Sequence, residues 1–473
     1  MTRSFRAFVF LFLAIVLPAQ PLAAAAPDVA AELAAALRES AGLPGLSVAV
    51  GVGDRVVWSA GFGVANLETP SAVTAETRFR CASVSKVVTV AALVRLANRG
   101  VVDLDAPIQT YLPDYPATSK PLTLRQLAGH LGGVRHYLPK DFQLPPKHYA
   151  RLAEALPIFV GDPAVAPPGE RYNYSTFGYT VIGAALEAAT GKSFLTLLDE
   201  EVFRPLGLRH SGGDLRPDIL PGRAAIYDRS RETGRVQLAA VDELSYKWPG
   251  GGLLSTPEDL VRFGFAHLGG DYLPAAVRAG LFVTQKTAAG EDTGVGLGWR
   301  VGKDWRGRRI YHHSGAQAGA RSTLVLYPDD GVVVAIMTNL GNSLPAVESS
   351  AQLLAEPFLA EAKEARGPVG VTSYRGTFGG KSVAGVLVLE ATTSGQRGVL
   401  SVPEQVASTL RSQGLAVGAT WPLVTAFGDG PGLAFAVATP FGLLPLRLER
   451  GADGYRGTLA LGGETLEFVL KES

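Results

Sequence analysis

Ser83-Val84-Ser85-Lys86 opens the apolar run Val87-Val88-Thr89-Val90-Ala91-Ala92-Leu93-Val94, and the reading of the whole chain turns on it. Val87, Val90, Ala91 and Val94 recur at helical spacing and Gly100 stands beyond Asn98, so a helix is expected over 83–98. Ser83 then lies at the helix start, with Lys86 three residues later on the same face and within reach of its hydroxyl. A serine becomes a nucleophile only beside a base, and a lysine can be that base only when neutral. A helix N-terminus and partial burial both push an ammonium toward neutrality. Taken alone, Ser-x-x-Lys is weak, since a chain of this size shows about one by chance. The plainer reading is a capping serine followed by a solvated lysine.

Working outward, Val29 to Ala41 reads as a helix, with Asp28 and Glu32 early and Arg38 late, charges that mostly match the helix dipole. Leu46 to Val52 and Arg55 to Gly61 are strand-like runs joined by Gly53-Asp54, a hairpin signal. Residues 138–170 are proline-rich and read as loops around a short helix, and Phe177 to Thr190 is helical again. From Trp299 strands take over: Arg309 to His313, Thr323 to Tyr327, then Asp330-Gly331 as a hairpin before Val332 to Thr338. Strands at both ends with helices between predict one mixed α/β (α+β) domain whose sheet is closed by distant segments. A helix ending near Ala365 leads to Arg366-Gly367-Pro368, read as a linker. Beyond it, 367–473 is expected to be a small β-domain with one helix, Glu404 to Leu410. Tyr374-Arg-Gly-Thr-Phe and Tyr455-Arg-Gly-Thr-Leu echo each other and suit its first and last strands.

Composition narrows the functions. The 473 residues are 47% hydrophobic and carry 44 Lys plus Arg against 43 Asp plus Glu, a net charge of +1. Disorder is excluded as the main theme, and no basic excess points to nucleic acid or an anionic membrane. The single cysteine, Cys81, excludes an internal disulfide and Cys-rich metal sites. Thr2 to Arg6 is short and positive, Ala7 to Leu17 is apolar, and Leu22-Ala-Ala-Ala-Ala-Pro27 is a run of small residues. That order predicts a signal peptide over 1–26, cleaved near Ala25 or Ala26, and an exported protein, periplasmic or secreted. The apolar run is shorter than the roughly 20 residues of a membrane span, and no stable span is expected in the mature chain.

Two further stretches carry chemistry. Gly169-Glu-Arg-Tyr-Asn-Tyr174-Ser175-Thr176-Phe-Gly-Tyr179 sets a Tyr-Ser-Thr triplet in a loop entering a helix. Tyr311-His312-His313-Ser314-Gly315-Ala316 closes a strand, with Gly319 soon after. Ser-x-x-Lys, then Tyr-Ser-Thr, then His-Ser-Gly, in this order, resembles the three-motif pattern of serine β-lactamases and penicillin-binding proteins. The resemblance spans about residues 40–345 and is strongest to the class C β-lactamase-like branch. Within that branch it is strongest to the mitochondrial serine β-lactamase-like group and its bacterial relatives, through Leu124 to His130, Arg135-His136-Tyr137, Tyr174 to Tyr179 and Ser245 to Thr256. It implies a β-lactamase/transpeptidase-like fold over 27–366: an antiparallel sheet flanked by helices, plus a helical subdomain.

The same resemblance implies roles. Ser83 would be acylated, with Lys86 and Tyr174 as the proton-handling pair. The backbone N–H groups of Ser83 and Ala316 would form the oxyanion hole. His313, Ser314, Gly315 and Thr176 would line the substrate site. Two departures from the family pattern bear on substrate. Thr176 replaces an Asn that can bind an acylamide carbonyl, and His313 replaces a Lys, which would make the pocket's positive charge vary between about pH 6 and 7. Both point toward peptidase-like action with weak β-lactamase activity at most. Elsewhere, His130, His136 and His312 lack metal-ligand spacing, so no metal or cofactor is expected. His136-Tyr137 reads equally as cleft border or as a hydrogen-bonded structural pair. Cys81 reads as a small buried side chain, and Lys247 with Gly250-Gly251-Gly252 as a loop supporting the pocket.

Two functions follow from different classes. The first is an exported serine hydrolase cleaving amide or ester bonds of peptides, D-Ala-D-Ala-like peptides, esters or β-lactams through an acyl-Ser83 intermediate. Its partner is a small-molecule or peptide substrate, with self-association left open. The second is a catalytically quiet protein of the same fold that binds cell-wall peptides or assembles into polymers. Intact Ser83, Lys86 and Tyr174 favour the first, because a binder need not keep an activated nucleophile.

Overall fold

The computed structural model describes residues 26–143, 147–230, 232–359, 369–392, 395–412, 417–429, 432–452, 454–461 and 464–471. The expected leader before Ala26 and the expected linker 366–368 lie outside the described residues.

The chain begins with helix α1 (Ala26–Ser40), followed by strands β1 (Gly45–Val52), β2 (Arg55–Asn66) and the short β3 (Ser71–Ala72). Helix α2 (Ser85–Asn98), helix α3 (Phe177–Thr190) and helix α4 (Pro257–Leu268) follow within the middle of the chain. Strands β4 (Arg300–Lys303), β5 (Arg309–Gln317), β6 (Ala320–Tyr327) and β7 (Val332–Thr338) then return to the first ones, and helix α5 (Val347–Ala355) closes this part. The seven strands form one sheet in the order β3-β2-β1-β7-β6-β5-β4, antiparallel throughout. Both predicted hairpins are present, with Gly53 at φ 71° and Gly331 at φ 64°, the left-handed region that glycine enters without a Cβ clash. The N-terminal and C-terminal strands meet where β1 pairs with β7, from Leu46 opposite Thr338 to Val52 opposite Val332.

Val332 to Met337 is apolar at every position because both faces of β7 are covered. Val332, Val334 and Ile336 pack with Leu33 and Leu37 of α1 and Leu353 and Leu354 of α5. Val333, Ala335 and Met337 face the other way, toward Leu260, Val261 and Phe263 of α4. A Cβ on Gly264 would stand 2.6 Å from Val333, so glycine there lets α4 lie close on the sheet. Thr256 starts α4 by accepting the Asp259 N–H at 3.2 Å, ahead of Pro257. Helix α2 packs against α3 and is buried at eleven of its fourteen positions. Its apolar residues therefore serve a helix enclosed on all sides rather than one with a single apolar face.

The C-terminal segment is a closed barrel of eight antiparallel strands, β8 (Gly370–Phe378), β9 (Lys381–Thr392), β10 (Gly395–Ser401), β11 (Thr420–Asp429), β12 (Gly432–Thr439), β13 (Gly442–Gly451), β14 (Gly454–Leu461) and β15 (Glu464–Lys471). Helix α6 (Glu404–Ser412) is the one expected helix. Closure leaves no free strand edge, and Tyr374, Leu387, Leu400, Phe435, Leu446, Leu459 and Phe468 fill the interior. Tyr455 lies in the penultimate strand, not the last. Both echoing tyrosines stand opposite Leu470, on either side of β15.

Two other boundaries differ from expectation. Helix α5 ends at Ala355 and passes into a single 3-10 turn, Glu356–Phe358, containing Pro357, which cannot donate to a continued α-helix, while the expected helix end near Ala365 lies outside the described residues. Strand β5 runs on to Gln317 rather than stopping at His313, so the third motif lies inside a strand. Among the described residues no single helix is long and apolar enough to cross a membrane.

Candidate active site

Ser83 sits in a 3-10 turn, Ala82–Val84, that runs directly into α2. The turn is tied from two sides. Cys81 N–H donates to Leu253 O at 2.8 Å, and Ser322 Oγ of β6 donates to Cys81 O at 2.6 Å. Ala82 is held at φ 45°, a conformation that disfavours an L-residue by about 1–2 kcal/mol and that recurs where surroundings over-determine a functional turn. Being in the first turn of the helical segment, Ser83 has an N–H with no intrahelical acceptor.

Lys86 reaches back across one helical turn, fully buried. Its Nζ lies 3.1 Å from Ser83 Oγ, 3.1 Å from Thr176 Oγ1 and 2.6 Å from Gly250 O. Burial, reinforced by the Arg300 charge, holds the amine well below the ordinary lysine pKa. A neutral amine has two N–H donors and one lone pair. Gly250 O can only accept, and Thr176 Oγ1 can take the second donor, which leaves the lone pair for the Ser83 hydroxyl.

Tyr174 stacks over this amine, its ring centroid 4.8 Å from Lys86 Nζ and 4.4 Å from the His130 ring. Burial raises the phenol pKa, while hydrogen bonds with Ser83 and Thr176 and the charge of Arg300 pull part of the shift back. The phenol is thus a protonated donor beside both Ser83 and Lys86. The loop that carries it is fastened by two histidines that composition alone did not single out. Ser175 N–H donates to His130 Nδ1 at 3.2 Å and Thr176 N–H to His136 Nδ1 at 3.2 Å. An imidazole that accepts at Nδ1 must be neutral, and burial is the leading cause that pushes His130 well below its usual range and His136 down to about 4. His136 therefore fills both roles read for it, since it also borders the cleft.

Strand β5 supplies the opposite wall. Its outer neighbour β4 pairs only with Arg309 to His312, so from His313 to Gln317 the outer edge of β5 has no strand beside it. A Cβ on Gly315 would stand 2.4 Å from Cys81 O and 2.9 Å from Ala82 Cβ, so only glycine lets this edge approach the serine turn. Ser314 Oγ donates to Glu348 Oε1 of α5 at 2.6 Å and lies 3.0 Å from Thr323 Oγ1. The resulting cleft of about 630 Å³ is lined by Ser83, Tyr174, Thr176, Ser314, Gly315 and Ala316, with Lys247, Gly251 and Glu348 also on its walls.

The structure corrects one site expectation. His313 is buried, with Nδ1 2.9 Å from Ser314 O, and it lies behind the wall rather than on it. Burial first, then Lys86 and Arg300, press its pKa well below the usual value, so it brings no positive charge to the cleft between pH 6 and 7. Thr176 lines the cleft, and its hydroxyl oxygen accepts from Lys86 Nζ, which leaves its O–H able to donate. Cys81 is buried, and desolvation raises its thiol pKa, in keeping with an inert packing residue. Lys247 is also buried on the cleft wall, its pKa lowered by desolvation to about 8, with Asp242 at 3.8 Å. Among the described residues no three His, Cys, Asp or Glu side chains gather into a metal-binding group.

Comparison with known proteins shows the family. Residues 30–357 match the Beta-lactamase family model. The mitochondrial serine beta-lactamase-like protein LACTB of Homo sapiens is 27% identical, over 64% of this chain and 75% of that protein. Penicillin-binding protein 4 of Amycolatopsis lactamdurans is 30% identical, over 65% of this chain and 83% of that one. Among solved structures, the octameric penicillin-binding protein homologue from Pyrococcus abyssi superposes with a TM-score of 0.59 at 19% identity. It covers 93% of this chain and 99% of its own, which extends the shared fold beyond the residues the family model matches. A nucleophile-bearing turn, a desolvated lysine and an open strand edge thus sit inside a matched segment that takes in most of the chain, and the protein belongs to the β-lactamase family of serine hydrolases.

Proposed function

We propose that the chain hydrolyses amide or ester bonds of a peptide or small-molecule substrate through an acyl intermediate on Ser83. The observation that carries this is the buried Lys86 amine 3.1 Å from Ser83 Oγ, its pKa held well below the ordinary lysine value. In the first step Ser83 Oγ attacks the carbonyl carbon while its proton passes to Lys86 Nζ. The developing oxyanion accepts the N–H groups of Ser83 and Ala316; loss of one such donor lowers kcat by about 10²–10³ in comparable sites. Collapse of the tetrahedral species breaks the bond to the leaving group, which takes the Tyr174 phenol proton; Lys86 returns a proton to Tyr174. In the second step water attacks the acyl-Ser83 ester, gives up a proton through the same pair, and releases the acid with Ser83 restored.

Residues 27–366 would form the catalytic part and 367–473 an accessory barrel. Export rests on the charged, apolar and small-residue order of Thr2 to Pro27. Thr176, turned toward Lys86, leaves the cleft without the amide that large acylamino side chains would need, which favours peptides and esters over β-lactams.

A neutral fluorophosphonate should add one equivalent of mass to the purified protein and none to Ser83→Ala. A panel of p-nitrophenyl esters, chromogenic peptides, D-Ala-D-Ala peptides and nitrocefin then ranks substrates, with nitrocefin slowest. Absence of an adduct on the parent protein would overturn the hydrolase reading in favour of a binding protein.

A further inference from the structure

We infer that a second cavity, beside the active-site cleft and lined by Arg80, Arg216 and Arg223, binds the phosphate group of a phosphomonoester. This stands apart from the acyl-Ser83 reading and holds whatever bond the chain cleaves.

The cavity measures about 200 Å³, and its other walls include Asp214, Asp242, Ile226, Val241 and Leu254. Arg80 belongs to an extended segment in which Phe79 points into the core. Alternation turns Arg78 to the same face as Arg80, and Arg78 forms a backbone bridge with Arg223. Four guanidiniums therefore gather around one hollow. Like charges repel at such spacing, so the gathering calls for anions.

The carboxylates present are already committed. Asp214 spends both oxygens, accepting from Arg80 Nε at 2.7 Å and from Arg223 Nη1 at 3.3 Å. Asp242 also faces the cleft, where it lies 3.8 Å from Lys247 Nζ. Asp228 feels Arg80 and Arg321 together and is not on the cavity wall. Arg223 donates further to Leu215 O at 3.0 Å and Asp218 O at 2.7 Å, which fixes the loop around it. Arg80 gives one more N–H to Ala318 O at 3.1 Å, and a guanidinium carries five, so donors remain for a ligand. Arg78 Nε is buried without a hydrogen-bond partner. Among the described residues no carboxylate lies within ion-pairing distance of Arg78 or Arg216.

A buried donor left unpaired is unfavourable, and here it stands in a cluster with more cations than anions. Four guanidiniums against two carboxylates are balanced by a dianion, and their planar forks match phosphate oxygens. The apolar wall of Ile226, Val241 and Leu254 suits an ester substituent, which selects a phosphomonoester over the bare ion. Arg80 adjoins the serine turn and reaches the end of β5 through Ala318, so the site touches both walls of the cleft.

Calorimetry on the full chain at about pH 8, where a phosphomonoester is a dianion, titrates n-propyl phosphate and inorganic phosphate at matched ionic strength. Propyl phosphate should bind with a Kd of about 1 mM or tighter, and inorganic phosphate more weakly. Arg216→Gln should weaken propyl phosphate by about 5-fold or more, and Arg216→Lys by less. Val241→Asp, which places an acid on the rim, should weaken it by about 10-fold. Both positions are exposed, so neither variant disturbs the core. A second arm uses phosphatidylcholine vesicles with and without phosphatidate. Phosphatidate-dependent capture that is lost in Arg216→Gln assigns the phosphate to a lipid headgroup; propyl phosphate binding without capture assigns it to a soluble ester. Binding in neither arm, or affinity unchanged in both Arg216→Gln and Val241→Asp, would overturn the site. So would propyl phosphate blocking fluorophosphonate labelling of Ser83, because the anion would then lie in the cleft.

Discussion

Replacing Arg300 by Gln should move the acid limb of the pH–rate profile upward. Lys86 Nζ and Arg300 Cζ lie 4.8 Å and 6.0 Å from the same Tyr174 ring centroid, so the two charges are no more than about 11 Å apart. At an effective dielectric constant of about 20, unit charges at that separation repel by about 1.5 kcal/mol, or about one pKa unit. Arg300 is only partly buried, and solvent screening trims this to about half to one unit. The sign is definite. Arg300 disfavours the ammonium form of Lys86, so its loss raises the lysine pKa, and the neutral base then appears only at higher pH. In the profile of kcat/KM for a neutral p-nitrophenyl ester between pH 5 and 9, the acid limb of Arg300→Gln should lie about 0.5–1 unit above the parent. Arg300→Lys, which keeps the charge, should stay near the parent. The pH dependence of fluorophosphonate labelling should shift by the same amount, since it reports on Ser83 activation without product release. A limb that stays in place or moves to lower pH in Arg300→Gln would refute Lys86 as the group whose neutrality activates Ser83.

Two further outcomes follow from packing. His267 is buried with Nδ1 2.8 Å from Phe263 O, and burial lowers its pKa to about 4. Its neutral form stabilises the fold fully above about pH 6.5, and that contribution, up to about 3 kcal/mol, is lost as pH falls toward 4. Thermal melting across that range should therefore be steeper for the parent than for His267→Gln, and parallel curves would contradict the assignment. Gly442 at the start of β13 has φ 136°, and a Cβ there would stand 2.6 Å from Ser350 Oγ and 2.9 Å from Ala346 O. Gly442→Ala should destabilise the protein by about 1–3 kcal/mol and raise KM more than it changes kcat. The joint it strains holds the first turn of α5, whose Val347 and Glu348 line the cleft. An unchanged melting temperature with unchanged KM would disconnect barrel from cleft.

That joint shows why the barrel's bearing on the site was not legible beforehand. Phe441 O accepts the Ala346 N–H at 3.0 Å and Ser350 Oγ accepts the Leu443 N–H at 2.9 Å, contacts between segments about ninety residues apart. A small β-domain is expected around them, but β-type composition does not say whether a sheet closes. Glu348 was missed for a related reason. A lone acid at a helix start looks like any dipole partner until its helix is laid against Ser314.

Local geometry made the nucleophile readable from residue order. Three residues along a helix put Lys86 beside Ser83 whatever the rest of the molecule does, and Gly53 and Asp330-Gly331 set their hairpins within a few bonds. Protonation could not be read that way. The Lys86 pKa is pressed down because segments 90 and 164 residues away, at Thr176 and Gly250, close over it, and burial presses the His313 pKa down as well. Spacing along a backbone is a short-range property. Desolvation depends on which distant side chains exclude water, and that is settled only when the chain has packed.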